Sequence, residues 1–153
     1  MKRLQLRRKD FLPQIKAYHL TLTKKDDLEL LEDKDQHQKI ILLNGKPAFF
    51  YHQERVVPLL KFLQTQELLK KITVDMGALK FILNGADIMR PGIVAVDEDI
   101  QKEEPVVIID EKNKKPIAVG IALVDGKELL ALKTGKVIKT IHYVGDALWK
   151  MEL

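Results

Sequence analysis

The segment Val74–Ile93 carries the groups of this sequence best placed to meet a ligand. Gly77, Gly85 and Gly92 leave stretches of backbone bare, and Pro91 lacks the donor an ordinary central strand would need. Backbone exposed in this way comes close to another molecule without a Cβ in between. The other chemistry on offer is electrostatic. The chain has 26 Lys and Arg against 22 Asp and Glu, a formal net charge of +4, which favours contact with polyanions. That surplus is local. Lys2, Arg3, Arg7, Arg8 and Lys9 crowd the N-terminus, and an acidic stretch follows from Asp26 to Asp35.

Catalysis has little to work with. There is no cysteine, which excludes disulfides, a thiolate nucleophile and cysteine-bound zinc. His19, His37, His52 and His142 stand at none of the H-x-x-x-H or H-E-x-x-H spacings of metal sites. Asp97, Glu98 and Asp99 cluster without an evident nucleophile or base to work with. The expectation is a protein that is not an enzyme and needs no metal or cofactor. No apolar stretch approaches the ~20 residues that span a bilayer, and no apolar core follows the basic N-terminus as in a secretory signal. A cytoplasmic location without membrane attachment is therefore expected.

The elements that must position the segment are legible around it. Asp75 is placed to cap a helix, and Met76, Leu79, Ile82 and Leu83 recur at the intervals of one apolar helix face. Gly85 follows where a left-handed residue ends a helix. Upstream, residues 39–43 and 46–51 flank Asn44-Gly45, the strongest short hairpin signal. Val56, Leu59, Leu60, Leu63 and Leu68 fit a further helix, with Pro58 in its first turn and Lys70-Lys71 at its C-terminal end. Downstream, residues 105–109, 116–124 and 136–144 read as strands, with Gly120 marking a close approach to a neighbour or a ligand. Trp149 is expected to pack against the core. Closely spaced short strands suggest a small barrel or pseudobarrel, whose closure hides its edges.

The pieces Asp75-x-Gly77-Ala78, Gly85-Ala86-Asp87-Ile88-Met89-x-Pro91-Gly92-Ile93, Ala118-Val119-Gly120 and Gly135-Lys136 together resemble a PUA domain, an RNA-binding module named for pseudouridine synthases and archaeosine transglycosylases. The tail Ile141-His142-Tyr143-x-x-Asp146-x-Leu148-Trp149-x-Met151 is similar to the end of the malignant T-cell amplified sequence family and its archaeal stand-alone relatives. The Asn44-Gly45 hairpin, Phe49-Phe50 and the following Pro-Leu-Leu resemble the pre-PUA domain of those proteins. The resemblance is weakest over residues 10–38. It implies an α+β chain, with a small α/β pre-PUA domain over residues 1–71 and a PUA-type β pseudobarrel over residues 72–153.

The same resemblance implies a non-catalytic RNA-binding protein that acts on the small ribosomal subunit and tRNA in initiation, reinitiation or recycling. The alternative is an accessory RNA-binding subunit of a tRNA or rRNA modification enzyme. Eukaryotic members pair with a protein carrying a SUI-type initiation-factor domain, which this chain lacks. Either another chain supplies it, or the role is simpler. Carried over residue by residue, Lys80, Gly85, Ala86, Asp87, Met89 and Arg90 would form the RNA groove, and Lys133 and Lys136 would meet phosphates from the closing side. Lysine and arginine charges supply affinity for phosphates without sequence information. Gly85 would let the backbone reach a nucleotide.

Overall fold

The protein is described by a computed structural model over residues 1–151; Glu152 and Leu153, the end of the expected second domain, lie outside the described residues. The chain divides into two compact units, one ending at Leu68 and the other starting at Leu69.

The first unit contains β1 (Lys2–Gln5), α1 (Arg8–Ile15), a 3-10 turn over Lys16–Tyr18, β2 (Leu28–Asp33), β3 (Gln38–Leu43), β4 (Lys46–His52), β5 (Arg55–Pro58) and α2 (Leu60–Leu63). Its five strands form an antiparallel meander in chain order. Asn44 and Gly45 turn the β3–β4 hairpin with φ of 54° and 80°, the left-handed pair that a two-residue hairpin demands. Phe49 on β4 is fully buried and meets Phe11 and Phe62 edge-on, with ring centroids 5.6 and 5.4 Å away. Tyr18 stacks on Phe49 and donates its hydroxyl to the Val56 carbonyl. Burial pushes its phenol up to about 12. Truncating a side chain like Phe49 costs about 3–5 kcal/mol, so this aromatic cluster is the unit's main anchor.

The helix expected from Val56 to Lys71 is corrected. Residues 55–58 are strand β5, α2 is a single turn, and Lys70-Lys71 open a strand of the second unit. Val56 and Val57 are β-branched and pair with Tyr51 and Phe50, a context in which pleated packing overrides helical spacing. Pro58 is tolerated because β5 is an edge strand. The acidic stretch around Leu28, Leu30 and Leu31, for which periodicity predicts nothing firm, is strand β2.

The second unit runs β6 (Lys70–Val74), α3 (Met76–Ile82), β7 (Ile88–Met89), a 3-10 turn over Arg90–Gly92, β8 (Ile93–Val96), β9 (Pro105–Asp110), β10 (Pro116–Ala122), α4 (Gly126–Ala131), β11 (Lys136–Tyr143) and α5 (Ala147–Lys150). Its sheet has the order β7-β11-β10-β9-β6-β8, antiparallel except for the β6–β9 pair. β9 is buried along its whole length, as a strand covered on both faces must be. β7 and β8 are the two edges, yet the chain passes from one to the other through only Arg90–Gly92. The sheet must therefore curl until its edges nearly meet, giving the half-barrel that closely spaced strands predict. Gly120 lies at an irregularity in the β10–β11 register. A Cβ there would come within 2.4 Å of the Ile138 side chain and 2.9 Å of the Lys139 carbonyl, so its close approach is to the neighbouring strand and not to a ligand. Trp149 is half-buried on α5.

Candidate nucleic-acid interface

α3 is short and held at both ends. Asp75 accepts a hydrogen bond from the Ala78 backbone N–H at 2.8 Å, satisfying a donor that the first turn leaves free. At the other end Ala86 N–H donates to the Phe81 carbonyl and Gly85 N–H to the Ile82 carbonyl. Gly85 has φ +88°, so the pair of bonds is the left-handed stop that only a residue without Cβ adopts freely. Leu79, Ile82 and Leu83 pack on the core. Met76, expected with them, is 39% exposed, because the first helical residue lies beyond the edge of the apolar face.

The loop after α3 is fastened to β11. Asp87 accepts from Thr140 N–H at 2.9 Å and lies 3.4 Å from the Lys136 ammonium. The Thr140 hydroxyl donates to the Ala86 carbonyl at 2.9 Å. These bonds set β7 beside α3 at a distance that leaves an open groove of about 610 Å³ between them. Gly77, Ala78 and Phe81 from α3 line it. Met89 and the Pro91-Gly92 turn line it too, with Asp87 and Lys136. Phe81 and Met89 are 57% and 50% exposed, so two large apolar side chains face the solvent. The floor is tight: a Cβ on Gly92 would sit 2.9 Å from the Ala78 methyl. Of the carboxylates in the groove, Asp75 is committed to its cap and Asp87 to Thr140 and Lys136. An apolar slot with an aromatic wall and nearby lysines suits a flat base attached to a phosphate.

Comparison with known proteins gives this geometry a family. Residues 70–144 match the PUA domain, and residues 5–66 match a domain of unknown function, DUF1947. An uncharacterized protein of Methanocaldococcus jannaschii is 45% identical over 86% of this chain and 80% of its own length. Translation machinery-associated protein 20 of Schizosaccharomyces pombe is 33% identical over 84% of this chain and 74% of its own length. The chain belongs to this PUA-domain family. The Drosophila melanogaster homolog of malignant T-cell-amplified sequence 1 is 30% identical over 90% of the chain and 79% of its own length. A hypothetical protein of Pyrococcus horikoshii has the same fold, with a TM-score of 0.85 at 33% identity, covering 97% of this chain and 98% of that one.

Within the PUA domain the expected site residues separate into two groups. Ala86, Asp87, Met89 and Lys136 come together in the groove. Lys80 is exposed on α3 with its ammonium 5.2 Å from the centre of the Phe81 ring, so it flanks the slot without lining it. Gly85 does not line it. Its N–H is spent on the helix stop, and the place a Cβ would take faces the Tyr143 ring at 3.1 Å. Lys133 is exposed in the segment before β11, outside the groove. Arg90 turns inward: its Nε donates to the Leu129 carbonyl at 2.9 Å and its Nη1 to the Ile93 carbonyl at 3.2 Å. Its own backbone N–H donates to the Gly135 carbonyl. Arg90 is thus a clamp on the turn that joins the two sheet edges, where a phosphate contact was expected. A guanidinium, with several donors in a fixed fork, is suited to gathering carbonyls from separate elements.

Phe81 is the residue that sequence reasoning missed. Its signal was available: a large aromatic residue off the apolar stripe of Leu79, Ile82 and Leu83 has no core to enter. Gly77, Ala78 and Gly92 were named as pieces of the motif, but their use is to open space beside that ring.

Proposed function

We propose that the protein binds RNA of the translation apparatus without catalysis, taking an unpaired base into the PUA groove. The observation that carries this reading is the exposed Phe81 and Met89 pair in a slot with lysines close by. Bases stack on such a wall regardless of identity, while the lysines hold phosphates and make affinity depend on salt. An unpaired RNA end or loop meets this description better than a duplex, whose bases are already stacked. One relative is named for the translation machinery, which supports an RNA of that machinery; small-subunit rRNA and tRNA are the candidates this reading takes. On this reading the protein works in the cytoplasm.

Ultraviolet crosslinking in cell extract, followed by sequencing of the bound RNA, tests the proposal. Enrichment of small-subunit rRNA and tRNA 3′ ends is the expected result. Recovery of the substrates of a modification enzyme together with that enzyme would replace it with the accessory-subunit reading.

A further inference from the structure

A basic surface lies in the first unit, far along the sequence from the PUA groove. α1 and the 3-10 turn after it bury one face, through Phe11, Ile15 and Tyr18. Those positions fall at i, i+4 and i+7, one stripe of a helix. The opposite face borders an open groove of about 870 Å³. Arg8, Lys9 and Lys16 supply its charge, and Leu12, Pro13 and Leu20 supply apolar lining. No carboxylate is among the described residues that line it. Asp10 lies on α1 itself but does not line the groove, and Asp26 feels the charge of Arg8. Asp26 also accepts from the Thr23 N–H at 2.7 Å and the Asn44 amide at 3.0 Å, and the groove lining itself keeps a net positive charge.

Three cations gathered along one short element repel one another, a cost that an anionic ligand relieves. Arg8 and Lys16 are separated by roughly 12 Å along a helical rise of ~1.5 Å per residue. Over that length one strand of a nucleic-acid duplex presents three or four phosphates, at ~3.4 Å per phosphate. We propose that this face of α1 is a second RNA-backbone site, independent of base capture in the PUA groove. Phosphates meet Arg8, Lys9 and Lys16, and the sugar edge rests on Leu12, Pro13 and Leu20. An acidic protein segment would satisfy the charges, but it has no need of the apolar strip between them. The site carries affinity and orientation, not sequence choice.

The test uses the full chain, a fluorescein-labelled oligouridylate and a labelled RNA duplex, with anisotropy titrations over a range of KCl concentrations. The Arg8→Gln/Lys9→Gln/Lys16→Gln variant should lower the slope of log Kd against log salt by about 2, since each lost phosphate contact removes about 0.7. The Arg8→Lys/Lys9→Arg/Lys16→Arg variant should keep the slope. An unchanged slope in the neutralised variant overturns the proposal. So does loss of polyglutamate binding with RNA binding intact, which would assign the face to an acidic protein. Circular dichroism checks the fold. Should the triple variant unfold, Lys9→Gln and Lys16→Gln alone, each expected to remove about 0.7 of slope, decide the matter. Repeating the titration with Phe81→Ala separates the two readings. A drop in slope here with no effect of Phe81→Ala would sink the base-capture reading and leave this surface standing.

Discussion

Phe81→Ala is the sharpest probe of the PUA groove because it separates function from stability. Phe81 is 57% exposed, so less than half of its surface is buried, and its removal costs at most about 1 kcal/mol of the ~1.5–3 kcal/mol for a fully buried side chain. Part of that is returned, since alanine favours helix by roughly 0.5 kcal/mol over phenylalanine. The melting temperature should move by no more than a few degrees. Binding should move far more. A base stacked on an aromatic ring contributes about 1–3 kcal/mol, which at 1.36 kcal/mol per tenfold is a Kd increase of about 5- to 150-fold. Because no charge is lost, the slope of log Kd against log salt stays as in the wild type. Lys80→Gln with Lys136→Gln should do the reverse, lowering the slope by about 1.4 through two lost phosphate contacts. The assay is anisotropy of a labelled single-stranded RNA across salt concentrations, with thermal melts run alongside. A Phe81→Ala protein that binds as tightly as wild type, or that binds weakly only because it has unfolded, refutes the stacking argument.

Other outcomes follow from the geometry. Arg90→Gln should destabilise the second unit by about 2–3 kcal/mol in urea unfolding, because it breaks two charge-assisted bonds and strands the Leu129 and Ile93 carbonyls; its effect on the RNA salt slope should be small. Gly120→Ala should cost about 2 kcal/mol or more, since its methyl group would collide with Ile138 and the Lys139 backbone. Asp146 gives a pH signature. Burial works to raise its pKa, but the hydrogen bond and field of His142 and the N–H groups of Trp149 and Tyr143 prevail and hold it below its ordinary 3.8. Its stabilisation is complete above that ordinary value and is lost as pH falls through the lowered native value. Asp146→Asn should therefore cost about 2 kcal/mol at neutral pH, and the gap from wild type should close in acid, as stability curves from pH 7 to pH 2 would show.

Much of both units was written locally. The Asp75 cap, the Gly85 stop and the Asn44-Gly45 turn each depend on a few neighbouring residues, so spacing alone predicted them and the helix and hairpin they bound. The strands 105–110 and 116–122 were legible because buried strands are nearly unbroken apolar runs between turn residues, and 136–143 because β-branched residues recur along it. The helix misread over Val56–Lys71 shows where local signals stop. Leucines at helical spacing looked periodic, but Val56 and Val57 pair with Tyr51 and Phe50 in a tight hairpin that the leucine pattern does not register.

The sequence by itself determined the family and several of the residues that cap, turn or stop its elements, because caps and turns rest on dihedral preferences and short-range hydrogen bonds. Only the tertiary structure decided the uses of the chemistry-bearing side chains. Arg90 looked like a phosphate contact until the tertiary structure brought the Leu129 and Ile93 carbonyls to its guanidinium. Phe81 looked like one more apolar residue until the core was filled without it. A side chain's role depends on which distant atoms arrive beside it, and that is set by how the sheet closes, not by its neighbours in the chain.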